Sequence, residues 1–280
     1  MANLGRVQVK GYELELRLNK RVGANARVYG NFNLTHSKSE VLERDDPQLL
    51  PAYQKQVGYV LGQTRSHVSN GYINTWDELY ASTPHDANDN QKLPGDYHII
   101  DFNGDGIIDT NDNIPFGFSS TPQNTYSSTI GFEWNGFAGF AQFYGVNNVT
   151  RQVVLGSLER NNTLVYDEGS YWNKNQMDAD VPHPRWNSTP SNYSVGNRYM
   201  FDGSYLRLKN AEISYTFNSR WDFMRKTRIE TLRVFVNGNN LWVWTDMPDD
   251  RESNFAGTGW ASQGAYPTVK RYNIGLNLTF

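Results

Sequence analysis

The sequence predicts an all-β chain: an antiparallel sheet forming part of a transmembrane β-barrel, with about seven strands and long loops. Two observations predict it. Apolar residues recur at every second position in seven separate runs, while helical periodicity is weak and Gly, Asn, Ser and Thr are spread throughout. The connections between those runs alternate short, long, short, long, short, long. A soluble sandwich has no reason for that rhythm. A transmembrane barrel has one, because its periplasmic turns are short and its extracellular loops are long.

The first run is Val7 to Leu18. Tyr12, Leu14, Leu16 and Leu18 share one face, and Glu13, Glu15 and Arg17 share the other. After a turn around Lys20–Gly23, the second run places Ala26, Val28, Gly30, Phe32 and Leu34 opposite Arg27, Tyr29, Asn31 and Asn33. A polar region over about 37–125 follows. It is too long for an ordinary connection, so it is expected to carry local structure or function. The short apolar stretch Val57–Gly62 inside it is a possible further strand.

The third and fourth runs form the best hairpin. Tyr126, Ser128, Ile130, Phe132 and Trp134 lie on one face, and Phe137, Gly139, Ala141 and Phe143 continue it. Between them Asn135-Gly136 signals a type I′ turn, which needs positive φ at both central residues. Trp134 and Phe137 beside that turn mark an expected aromatic girdle. A second polar region spans about 147–204. The fifth run, Tyr205 to Phe217, has Ala211, Ile213, Tyr215 and Phe217 on one face. Arg207 and Lys209 fall in the same phase, so its apolar band is expected to end there. The sixth run alternates Leu232, Val234 and Val236. A third polar region covers about 245–266, and Tyr272, Ile274, Leu276, Leu278 and Phe280 close the chain. Seven strands cannot close a typical bacterial barrel, whose count is even, and open edges are not tolerated in lipid. The expectation is therefore the C-terminal part of a larger barrel.

Composition narrows the function. No stretch approaches the ~18 apolar residues of a spanning helix. The 17 Tyr, 14 Phe and 8 Trp are too many for a disordered chain. A formal charge of −3 gives no footprint for nucleic acid. The absence of Cys removes disulfides, thiolate zinc sites and Cys nucleophiles. Met1 is not followed by a charged segment and an apolar core, so no signal peptide is visible. Either a cytoplasmic protein or a natural N-terminus lying upstream is expected.

The sharpest motif is DFNGDGIIDTND, Asp101 to Asp112. It matches a calcium loop of the EF-hand type. Asp101, Asn103 and Asp105 supply oxygens at loop positions 1, 3 and 5, and Gly106 allows the sharp turn. Ile107 offers its carbonyl, Asp109 takes position 9, and Asp112 stands where a bidentate Glu is usual. Hard oxygen donors suit Ca²⁺. The flanks do not read as helices, so a structural calcium loop is expected. The five histidines show no zinc spacing and read as scattered surface residues. Phosphate loops, nucleophile elbows and convincing carboxylate pairs are absent, so no catalytic residue is expected. Loop aromatics such as Trp76, Tyr80, Tyr171, Trp172, Trp186 and Trp260 can either stack on ligands or pack the loops together.

Five stretches together resemble SusC/RagA-type TonB-dependent outer-membrane transporters. They are the N-terminal Asn3–Leu14, the DFNGDGIIDTND loop, Asp202–Asn210 leading into Ile213–Phe217, Val236–Leu241, and Tyr266-Pro267 through Phe280. The terminal alternation ending in Phe280 also resembles the signal read by the outer-membrane assembly machinery. The resemblance implies a parent barrel of about 22 strands with a plug. It implies import of glycans, oligosaccharides or peptides across the outer membrane, without enzymatic chemistry. TonB would act through an N-terminal region that this chain lacks, and a SusD-like surface lipoprotein would cap the barrel. The alternative is a surface or secreted calcium-stabilised β-domain that binds carbohydrate.

Overall fold

The computed structural model describes residues 5–152, 171–179, 182–183, 197, 200–218, 221–227, 229–247 and 268–280. Among these residues the strands are β1 (Arg6–Arg21), β2 (Ala26–Glu43), β3 (Arg65–Ser66), β4 (Ser69–Tyr72), β5 (Tyr97–Ile99), β6 (Ile114–Pro115), β7 (Asn124–Trp134), β8 (Phe137–Asn147), β9 (Thr150–Gln152), β10 (Met200–Asp202), β11 (Tyr205–Asn218), β12 (Thr231–Thr245) and β13 (Arg271–Thr279). Two short helices are α1 (Trp76–Ala81) and α2 (Asp222–Thr227).

Seven long strands make one antiparallel sheet in the order β1-β2-β7-β8-β11-β12-β13. They are the seven runs of period two; the first six of these strands extend beyond their alternating cores, and β13 ends at Thr279, one residue before Phe280. Neighbours in the sheet are neighbours along the chain, with the long connections leaving from one end. At the other end the short connections sit side by side. The Asn135 N–H donates to the Asn25 carbonyl (3.2 Å), and the Thr216 N–H donates to the Gly136 carbonyl (2.8 Å). Asn135 and Gly136 both have positive φ, 47° and 89°, as the type I′ turn requires. The Val57–Gly62 stretch forms turns rather than a strand.

Register carries one apolar face across every strand. One row runs Val28, Phe132, Gly139, Ile213, Val236, Ile274, each residue directly opposite the next. The next runs Ala26, Trp134, Phe137, Tyr215, Val234, Leu276. This face is not covered by a second layer: Ile130 is 58% exposed and Ile274 81%. The opposite face is polar. Arg17, Asn31, Thr129, Gln142, Asn210, Asn239 and Arg271 form one row. Within it the Asn210 side-chain amide donates to Gln142, and that of Asn239 donates to Asn210. Asn273 donates to Asn237 (2.9 Å), and Asn237 donates to Glu212 (3.3 Å), which also pairs with Arg233.

The apolar band of β11 does not end at Lys209, as the alternation suggests. Register shifts between Leu208 and Asn210 against both neighbours. Against β8 the strand has one residue more there and against β12 one fewer; its phase reverses, so Leu208 and Leu206 face Trp242 and Trp244 across the β11–β12 pair. Arg207 becomes fully buried. One bulge thus extends the apolar face by two further rows.

Candidate functional site

The long connection between β2 and β7 folds into a cap of its own. It holds the β3–β6 and β4–β5 pairs and α1. Thr75 caps α1 by accepting from the Glu78 N–H (3.1 Å), and Glu78 accepts from the Asn74 N–H (2.7 Å). The cap's buried cluster joins Tyr72, Tyr97, Ile99 and Ile108 to Trp172, Ala179 and Met247 from the other two long connections. The Trp172 indole N–H donates to Asn74 (2.8 Å), and the Tyr72 hydroxyl donates to the Ala179 carbonyl (2.9 Å).

The acidic loop is wired to that cluster through Ile108, which is fully buried, while Ile107 beside it is 46% exposed. Asp101 accepts from the Gly104 and Gly106 N–H groups (2.7 and 2.8 Å). Asn103 accepts from the Asp105 N–H (2.9 Å), and Asp105 from the Ile107 N–H (3.0 Å). Gly104 and Gly106 take positive φ, 73° and 91°, where a Cβ would be strained. Asp109 caps a single 3₁₀ turn at Thr110–Asp112. The Asp112 carboxylate is 1% exposed and closes the loop. Its two oxygens accept from the backbone N–H groups of Phe102 (2.8 Å), Asn103 (3.3 Å) and Asp109 (2.9 Å).

The loop therefore brings Asp101, Asn103 and Asp105 together on one turn and sets Asp109 and Asp112 on the next. The donor set is all oxygen, as a hard cation needs. Among the described residues, however, no three His, Cys, Asp or Glu side chains converge as a metal-holding group. The Asn103 amide nitrogen, not its oxygen, meets the second oxygen of Asp105 (2.9 Å). Cation binding would have to turn that amide and draw the two halves together.

Two histidines are not the surface residues that their scattered spacing suggests. His67 is fully buried and His85 is 8% exposed. The His67 Nε2 lies 2.6 Å from the Asp109 carbonyl oxygen, tying β3–β4 to the acidic loop. That contact spans 42 residues, and no local motif announces it. Lys92 is likewise buried, with its Nζ 2.8 Å from Asp89 and donating to the Ser82 hydroxyl (2.9 Å). Burial opposes charge on Asp89. The Lys92 hydrogen bond, the His85 N–H and the nearby cationic charge outweigh it and lower the Asp89 pKa. Burial also opposes charge on Asp46. The Val57 and Gln56 N–H groups, Arg44 and Lys55 outweigh it, so its pKa is lowered too.

The loop aromatics divide. Trp172 packs in the buried cluster, whereas Trp76 and Tyr80 on α1 are 54% and 79% exposed. Trp186 and Trp260 lie outside the described residues.

No protein-family model matches the chain. "TonB-dependent receptor P3" of Formosa agariphila is 27% identical over 306 aligned residues, covering 99% of this chain. "TonB-dependent receptor P26" of the same organism is 25% identical over 304 aligned residues, covering all of it. The chain is thus similar to a stretch of two TonB-dependent receptors. It spans 29% and 30% of the length of those two. Among solved structures, the RagAB peptide transporter matches with a TM-score of 0.63 at 17% identity, over 99% of this chain and 30% of that one. The RagAB peptide importer in its 'open-open' state matches equally, with 29% of its chain covered. At that identity the RagAB match shows a shared fold alone.

Proposed function

We propose that the chain is a C-terminal stretch of the barrel wall of a TonB-dependent outer-membrane importer. The observation that supports this is the sheet's polarity. Its apolar face is continuous, long and exposed, and its polar face carries the hydrogen-bonded side-chain network. A water-soluble sheet of this size would bury the apolar face, because uncovered apolar patches beyond a few hundred Å² are rare on soluble monomers. In lipid the same face is at rest.

Dimensions agree. On β7 the apolar face runs from Tyr126 to Trp134. At ~3.4 Å per residue and a tilt of ~40° this gives roughly 21 Å along the membrane normal, close to the ~25 Å apolar band of such barrels. The short connections would then face the periplasm, and the cap with its acidic loop would face outward. The remaining strands and a plug engaging TonB would lie in parts of the protein outside this chain. A SusD-like lipoprotein would close over the cap. Substrates would be glycans, oligosaccharides or peptides, and the RagAB likeness favours peptides. The wall contributes surface and no covalent step.

A Ca²⁺ ion on the acidic loop belongs to the same proposal, held by Asp101, Asn103, Asp105, the Ile107 carbonyl, Asp109 and Asp112. It would lock the cap in one shape. Calcium titration followed by calorimetry checks this: saturable heat, abolished by Asp105→Ala, is expected. Absence of heat, with loop proteolysis unchanged by EDTA, overturns it.

Membrane fractionation tests the main reading. The protein should stay with outer membranes after carbonate washing and leave only with detergent, and cells lacking TonB should lose uptake of the substrate. Release into buffer without detergent would instead favour the carbohydrate-binding β-domain.

A further inference from the structure

Two concavities meet at the short-connection end of the sheet. An apolar groove of about 670 Å³ runs up the apolar face between β8, β11 and β12. Phe137, Ile213, Phe217 and Val234 are among its walls. A polar notch of about 360 Å³ opens among the connections themselves, lined by Asn25, Asn135, Gly136, Thr216 and Asn218. Tyr215 and Trp221 line both, so the groove and the notch adjoin at those two rings. The pair has the shape of an amphiphile site, greasy along the sheet and polar where the sheet ends.

The aromatic packing holds this junction open. Tyr215 and Phe217 meet edge to face (4.6 Å between centroids), and Trp221 meets Phe217 the same way at 5.4 Å. Phe223 packs on Phe217 at 5.6 Å. These rings continue the apolar face past the last strand pair and onto α2. Trp221 is 45% exposed all the same. Exposed cations lie at this end, alongside the carboxylates of Glu133, Asp222 and Glu230. Lys20 and Arg21 end β1, and Arg225 and Lys226 lie on α2, all four exposed. Of these Arg225 is engaged by Asp222. An apolar-faced segment with Trp, Phe and basic residues is the composition of an interfacial element that meets anionic headgroups.

We propose that groove and notch together hold one glycerophospholipid, with an acyl chain along the groove and the phosphate at the notch beside Trp221 and the basic rim. The inference rests on the barrel-wall reading and adds to it a specific lipid of the periplasmic leaflet. The amide side chains and the neighbouring cations suit a phosphate diester, and the groove suits a single hydrocarbon chain.

The test uses the protein isolated from outer membranes in its natural polypeptide, delipidated stepwise in detergent and weighed by native mass spectrometry. One phospholipid is expected to survive delipidation that strips bulk lipid. Val234→Trp fills the groove and Trp221→Ala opens the junction, and each should lower retention about tenfold. Lys226→Glu lies on the exposed rim, leaves folding untouched, and should lower retention of phosphatidylglycerol several-fold. Retention unchanged in all three variants, no lipid surviving, retained lipid A, or a second protein copy on this face would each overturn the lipid site. Those results leave the barrel wall standing as long as the protein needs detergent. A protein that dissolves without detergent removes the barrel-wall reading itself.

Discussion

Phe132 lies over Gly139, its direct partner across the β7–β8 hairpin. A Cβ on Gly139 would stand 2.8 Å from the Phe132 ring. The same pairing recurs at Tyr126 over Gly145, Tyr29 over Gly131 and Phe235 over Gly275, each glycine opposite the ring that covers it. The rings fill space that the glycines leave and fix register at both faces of the sheet.

Gly139→Val should therefore destabilise the sheet, by about 1–3 kcal/mol as in other overpacked positions. Phe132→Ala in the same chain should recover part of the loss by removing the clash. Unfolding of the detergent- or vesicle-bound protein in urea reads both. Additive losses in the double variant would show that the ring and the glycine do not act as a pair.

The proposed lipid contact of the apolar face makes an asymmetric prediction. Ile130 and Thr129 are adjacent on β7 and point to opposite faces. Ile130→Arg should cost about 2–4 kcal/mol if it sits near the bilayer midplane. Thr129→Arg, between Asn31 and Gln142, should cost far less. Equal costs in vesicle refolding would place both faces in the same solvent.

Asp112 closes the acidic loop with three backbone hydrogen bonds from a buried position. Asp112→Ala leaves those N–H groups without partners, each lost acceptor costing about 1–3 kcal/mol locally. Amide exchange at Phe102, Asn103 and Asp109 should rise by at least tenfold while exchange in β7 and β8 stays slow. Slow exchange at all three would mean that water or the backbone replaces the carboxylate.

The carboxyls of Asp46 and Asp89 have pKa values lowered from 3.8 by their hydrogen bonds and neighbouring cations. A group with a lowered folded-state pKa stabilises the fold above its unfolded value, and the contribution fades as pH falls through the folded one. Their share of cap stability should be complete at neutral pH and disappear below pH 3.8. Proton exchange at Gln56 and Val57, whose N–H groups donate to Asp46, reports it directly. Corrected for intrinsic rates, their protection should be flat from pH 7 to 5. Protection that drops between pH 7 and 5 would assign the effect to another group.

The seven long strands, the short–long rhythm and the Asn135-Gly136 turn were legible because each is written locally. Period two needs only neighbours in sequence, and positive φ at a turn needs only the residue type. The acidic motif was legible as residue types and spacing, whereas the backbone N–H groups that Asp101, Asn103 and Asp105 accept from emerge only in the folded loop. Burial of His67 beside Asp109 was not, because it depends on loops that meet across 42 residues. Nor was it readable which of Ile107 and Ile108 would enter the cap's core.

Alternation alone determined that this chain forms strands with one apolar and one polar face. Tertiary pairing decided where that alternation breaks. At Lys209 the strand β11 carries one residue more than β8 and one fewer than β12, which turns Leu206 and Leu208 to the apolar side and buries Arg207. A period counted along one strand cannot contain that shift, since the bulge is stabilised by hydrogen bonds and packing with two other strands.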